Sequence, residues 1–265
     1  MIDPKKLDEI ARKLGIGKYA KPEMELPQEI IKENVLEDDE YFIFPDKSGS
    51  EYKLGKNLLE NGVIQNQPYW LQREGDSTII NSRDLYQMMH RLYSLRNEDN
   101  DAVNNCISLL REDFTKNHTH TGTKINYGNG LDGIVSHLQP DKSIWTSEPI
   151  IIPEFARLDN NWSCLVLAKE QSESKLGNIE EIPDNAKPIL EALLGNYYED
   201  FGAVAQYLAT RKNNNLREVR LWVPTAANRN CELCVVFGIY DWFILYADDN
   251  PSNQRPARGV QRNAK

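Results

Sequence analysis

The sequence predicts a mixed α+β fold, and three features carry that prediction. Apolar residues recur at helical spacing at Leu85, Met88, Met89, Leu92 and Leu95, and again at Val103, Cys106, Ile107, Leu110 and Phe114. From His118 to Ala168, short β-rich runs are separated by glycine and asparagine turns. Towards the C-terminus, Val219–Val223, Leu233–Ile239 and Trp242–Ala247 form three further strand-like runs.

In chain order, Asp3–Leu14 and Pro27–Leu36 read as two short helices, the first with Leu7, Ile10 and Leu14 on one face and Gly15, Gly17 and Pro22 breaking the pattern after it. Tyr41–Phe44 is a strand stopped by Pro45 and Asp46. Candidate strands follow at Tyr69–Gln72 and Ser77–Ile80. Asn81 or Ser82 then caps the Leu85 helix, because either side chain can accept from an orphan N–H of the first turn. Asn97–Asn100 separates it from the Val103 helix, giving a helical hairpin whose apolar stripes are core. Strands are predicted at Lys124–Tyr127, Ser143–Trp145, Pro149–Phe155 and Trp162–Ala168. A third helix is predicted from Pro188 to Lys212, weakened by Gly195 and Gly202. The chain ends in a basic segment, Arg255–Lys265.

The 265 residues carry a formal charge of −9, which argues against a chain-wide phosphate-binding surface. No secretory signal is visible at the N-terminus, and the longest apolar stretch, Leu233–Ala247, is too short and too interrupted by Gly238 and Asp241 to span a bilayer. Four cysteines do not make a disulfide scaffold. The composition therefore predicts a soluble protein without membrane insertion or a nucleic-acid partner.

Few constellations carry chemistry. Cys231-Glu232-Leu233-Cys234 can grip zinc only if two more ligands join it, and His118-Thr119-His120 could supply them from alternate positions of a strand. That gives one functional reading, a metal-dependent enzyme using His118, His120 and Cys231 or Cys234. A lone CxxC beside an apolar strand is more often incidental. No GxSxG elbow occurs, and Gly128-Asn129-Gly130 is a tight turn without the lysine and hydroxyl of a phosphate loop. Asp248-Asp249 and the terminal Arg255, Arg258, Arg262 and Lys265 read as solvated charges.

The segment from Arg220-Leu221-Trp222-Val223-Pro224-Thr225 to Arg258-Gly259-Val260-Gln261-Arg262 resembles the C-terminal end of C-type lectin-fold proteins of the formylglycine-generating-enzyme subclass. Within these it is similar to the variable proteins of diversity-generating retroelements, which include phage tropism determinants. Such proteins end on a strand with a Gly-hydrophobic-x-Arg motif, matched loosely by Gly259-Val260-Gln261-Arg262. The usual Arg-Gly-Gly-Ser-Trp-like segment is missing, and the resemblance covers only about residues 217–262.

The resemblance implies a C-type lectin-like fold with a short twisted antiparallel sheet and flanking helices over 37–265, preceded by a helical extension over 1–36. It also implies a ligand-binding segment at about 226–251 in which adenine-directed mutation changes asparagine codons. Asn228, Asn230, Cys231, Cys234, Gly238, Tyr240, Asp241, Phe243, Tyr246, Asp248 and Asp249 are then permissible variable positions, and Trp222, Glu232, Trp242, Gly259 and Arg262 belong to the fixed scaffold. The expected function is non-enzymatic recognition of a protein or glycan, without cofactor, strengthened by display on an oligomer, a virion or a cell-surface structure.

Independently of the resemblance, Leu233–Ala247 is apolar on both strand faces apart from Asp241. Either a partner covers the second face, as on a binding surface, or the two strands are central and buried on both sides.

Overall fold

The computed structural model describes residues 34–46, 50–59, 78–116, 118–128, 132–139, 145–152, 155–157, 162–172, 175–176, 182, 184–209, 218–225, 231–239, 243–249 and 257–263. The predicted Asp3–Leu14 helix, most of the Pro27–Leu36 helix and the Tyr69–Gln72 strand lie outside them. Where the second helix was expected to end, Leu36–Glu37 is instead a strand (β1), pairing antiparallel with β2 (Tyr41–Pro45).

The fold is α+β, with four helices and two sheets among the described residues. The smaller sheet has the order β1, β2, β3 (Glu51–Leu58), β14 (Arg258–Asn263), β4 (Thr78–Ile79). The C-terminal strand is thus central, hydrogen-bonded to β3 on one side and β4 on the other. The larger sheet has nine strands rather than the few expected. It contains β5 (Thr119–Tyr127), β6 (Asp132–Leu138), β7 (Trp145–Ile151), β8 (Ala156–Arg157), β9 (Trp162–Ser172), β10 (Lys175–Leu176), β11 (Glu218–Pro224), β12 (Glu232–Ile239) and β13 (Phe243–Asp249). Its order is β10-β9-β11-β13-β12-β5-β6-β7, with β8 on β9, and only β11 and β13 run parallel.

The four helices cover one side of this sheet. Helix α1 (Ser82–Ser94) starts where the sequence places it. The Asn81 side chain accepts from Asp84 N–H at 2.8 Å and donates through Nδ2 to Leu138 O at 2.9 Å, so the cap also ties the helix to the end of β6. Helix α2 (Asp101–Lys116) lays Val103, Cys106, Ile107, Leu110 and Phe114 into the core. The predicted third helix is two: α3 (Lys187–Leu194) and α4 (Phe201–Ala209), joined through a 3-10 turn at Tyr198–Asp200. Gly195 is the reason. It takes φ 82°, a left-handed conformation that ends a helix, and its N–H closes on Glu191 O at 2.8 Å.

The last carbonyls of α3 point into the protein, where each would be expensive to leave without a donor. Ala192 O receives His137 Nε2 and Arg83 Nη2, both at 2.8 Å, and Leu193 O receives Ser82 Oγ at 2.7 Å. Because His137 Nε2 donates, its Nδ1 accepts from the Thr123 hydroxyl at 2.9 Å, and Thr123 Oγ1 accepts in turn from Ser82 N–H at 2.8 Å. Burial first, and the nearby Arg83 charge second, push the His137 imidazole down to about 3, so it is neutral in the fold. A polar core network therefore joins α1, α3, β5 and β6.

The two sheets meet at an irregularity in β5. His120 aligns with Val236 and Lys124 with Cys234, so β5 carries two residues more than β12 over the same interval. There Gly122 N–H donates to Ile80 O, and Thr121 Oγ1 donates to Val235 O. Ala257, just before β14, forms a bridge with His120.

Candidate functional site

Strands β11, β12 and β13 each have a side facing the helices and a far side, and side-chain alternation sorts their residues. Val219, Leu221, Val223, Val235, Phe237, Phe243, Leu245 and Ala247 belong to the main core. Phe243 meets the rings of Phe114, Phe201 and Phe237 at centroid distances of 5.5–6.1 Å. On the far side, register aligns Cys164, Trp222, Tyr246, Val236 and His120 in one row across β9, β11, β13, β12 and β5.

Within that row Trp222 and Tyr246 are part-exposed, whereas Cys164 at one end and Val236 and His120 at the other are buried. Strand β11 alternates, with Glu218, Arg220 and Trp222 part-exposed and Val219, Leu221 and Val223 buried. The Trp222 and Tyr246 rings lie 5.8 Å apart, tilted by 53°. One row along, Arg220 aligns with Val166, which is 42% exposed, and donates through Nε to Glu218 Oε2 at 2.6 Å. On the other flank the His118 ring lies 5.8 Å from Tyr246, and His118 has a left-handed φ of 49°. A Cβ on Gly238 would stand 2.7 Å from His118 Cδ2, so the imidazole rests on the bare glycine.

These placements correct part of the sequence reading. Cys234, Gly238 and Phe243 were expected among the variable, ligand-facing positions, and all three are buried. Cys234 packs with Leu59, Ile79 and Ala257, Gly238 lies under His118, and Phe243 is core, because β12 and β13 are central strands. Cys231 and Tyr246 are part-exposed. Asp248 and Asp249 lie on β13, whereas Asn228, Asn230, Tyr240, Asp241 and Trp242 fall outside the described residues. Trp222, expected as scaffold only, shares the far-side row with Tyr246.

The residues of the alternative, metal-enzyme reading form no ligand set. Cys231 packs against the main core and Cys234 belongs to a separate cluster, so the two thiols of the CxxC serve different packing environments. His120 is fully buried. Among the described residues no group of three or more His, Cys, Asp or Glu side chains is placed to hold a metal ion. Burial pushes the Cys231 thiol up, away from a reactive thiolate.

Gly259 pairs with Ile79 inside the smaller sheet, and Arg262 is exposed with its guanidinium 5.1 Å from the Tyr52 ring centre. The buried charge is Arg258, which sequence reading placed among solvated tail residues; it is ion-paired with Asp113. Nothing local in the sequence signals that pair, since its members are 145 residues apart. His137 was likewise missed, and an isolated histidine within Asp132–Leu138 gives no sign of its partners.

A scan against family models gives no match for this chain, and neither the curated proteins nor the solved structures give one. Among the described residues no helix is long and apolar enough to cross a membrane.

Proposed function

We propose that this chain is a recognition protein whose C-terminal segment presents a diversified surface to a protein or glycan on a C-type lectin-like scaffold. The observation that supports this most directly is the far-side stripe of Val166, Trp222 and Tyr246, apolar groups left exposed or part-exposed on strands whose other side packs Val219, Leu221, Phe243 and Leu245 into the main core. Aromatic side chains give large contact area at low entropic cost, which suits recognition by a rigid frame. The Gly259–Arg262 run lies on a strand, as the resemblance requires. Burial of Cys234, Gly238 and Phe243 narrows the variable set: among the described side chains it leaves Tyr246 on the far side, and Cys231, part-exposed beside the main core just before β12.

Two measurements test the proposal. The DNA beside the coding sequence is expected to hold a reverse-transcriptase gene and an imperfect repeat of the region encoding 226–251, differing mainly at adenines. Absence of that repeat removes diversification. Separately, Tyr246→Ser is expected to leave the melting temperature within about 3 °C of the parent, as a display position must, whereas Phe243→Ser unfolds the core. Equal losses at both sites would remove the display surface.

A further inference from the structure

We propose that His118, which lies outside the 226–251 segment, is a positioning residue of the recognition face and sets the attitude of Tyr246 beside Trp222. The inference rests on the recognition reading, because it concerns the same stripe of rings.

Three observations carry it. His118 is the non-glycine residue with positive φ among those described, at 49°, a conformation that side chains with a Cβ avoid unless surrounding structure imposes it. Its ring is held against the sheet: a Cβ on Gly238 would meet Cδ2 at 2.7 Å, Nε2 at 3.1 Å and Cγ at 3.3 Å. Three ring atoms at that range mean the imidazole lies across the glycine, in space that any other residue would fill. The same ring meets Tyr246 at 5.8 Å and 44°, and Tyr246 meets Trp222 at 5.8 Å and 53°.

The backbone strain, the bare glycine and the ring contacts therefore form one chain of placement from Gly238 through His118 to Tyr246. His118 itself is 8% exposed, so it offers little surface to a ligand and acts through the tyrosine. Gly238 becomes a seat for the imidazole rather than a site of diversity. Specificity would then depend on a residue that diversification of 226–251 does not reach.

The test uses full-length protein with 13C-labelled tyrosine, the Tyr246 ring signals being assigned from Tyr246→Phe. His118→Asn removes the ring while keeping a residue that tolerates positive φ, so the fold is retained. The expected result is a melting temperature within about 3 °C of the parent together with a clear displacement of the Tyr246 ring resonances. Gly238→Ala is expected to lower the melting temperature by about 5 °C or more with His118 present, and by less than half of that in the His118→Asn background, since the clash is with the imidazole. Unmoved Tyr246 signals in His118→Asn, or an equal loss from Gly238→Ala in both backgrounds, would overturn the proposal. Neither readout involves a ligand or the repeat DNA, so failure here is distinct from failure of the recognition reading.

Discussion

Arg258 and Asp113 form a buried, two-pronged ion pair that fastens the last strand of the chain to the second helix. Arg258 Nη2 donates to Asp113 Oδ1 at 2.8 Å, Nε donates to Oδ2, and Nη1 donates to Gly55 O and Lys56 O at 3.0 and 2.6 Å. Both residues are 3% exposed. Burial pushes the Asp113 carboxyl up, and the guanidinium opposes that shift. Removing one partner strands a charge in a dry site, so Asp113→Asn is expected to cost about 3–5 kcal/mol in urea denaturation. Arg258→Lys should recover little of the wild-type stability, because an ammonium lacks the planar fork that reaches a carboxylate and two carbonyls together. Arg262→Ala, on the exposed side of the same strand, should stay within about 0.5 kcal/mol. Equal effects at 258 and 262 would contradict the arrangement.

The His137 network makes stability depend on pH in a direction that can be worked out. The imidazole is held down to about 3 in the fold and returns to its ordinary value of 6.5 on unfolding. Below 6.5 the unfolded chain therefore binds a proton that the folded chain does not. Stability falls as pH drops from 6.5 towards 3, by up to about 1.4 kcal/mol per pH unit from this group, and the contribution is flat above that window. Replacing His137 with Gln, which keeps a donor for Ala192 O, should reduce the slope measured between pH 6.5 and 5. An unchanged slope would mean that His137 is not the neutral, buried donor described.

What the sequence shows and what it hides follow from the range of the interactions. Helices α1 and α2 are legible because periodicity and capping are local, and of the two caps the sequence offers, Asn81 is the one used. Gly195 is visible as a weak point, but its left-handed φ, and hence the break into α3 and α4, depends on how the next turn packs. The two-sided apolar character of Leu233–Ala247 leaves two readings open, and strand order decides between them: β12 and β13 lie in the middle of nine strands. Even so, Tyr246 on the far side of β13 and its neighbour Trp222 on β11 stay part-exposed. Strand β6 is not legible in the sequence. Its Ile134 and Val135 are followed by Ser136 and His137, polar residues that are buried here because partners from β5, β7 and α3 satisfy them.

Two glycines separate a close approach from an ordinary one. A Cβ on Gly122 would stand 2.7 Å from Ile79 O, a backbone atom that cannot swing aside, at the point where the two sheets join. At Gly55 the nearest atom would be Gly259 O at 3.4 Å. Gly122→Ala is therefore expected to cost about 2–4 kcal/mol and Gly55→Ala less than about 1 kcal/mol, measured by thermal or urea unfolding. Similar costs at both positions would show that β5 and Ile79 do not meet in this way.

The cysteines give a test that separates recognition from metal chemistry without knowledge of a ligand. Cys231 is part-exposed, whereas Cys234, Cys106 and Cys164 are buried, and no disulfide joins any of them. A thiol reagent should label one site per chain in the native protein and all four sites only on unfolding, with Cys231→Ser abolishing the native reaction. Burial pushes the Cys231 thiol up, so its thiolate is scarce at neutral pH and the labelling rate should climb about tenfold for each pH unit until the group titrates. A zinc ligand behaves otherwise. Bound metal would hold the sulfur as thiolate, suppress labelling at all pH values and release it on adding a chelator. Chelator-dependent labelling of both Cys231 and Cys234 would sink the packing described for these strands; chelator-independent labelling of Cys231 alone is the expected result.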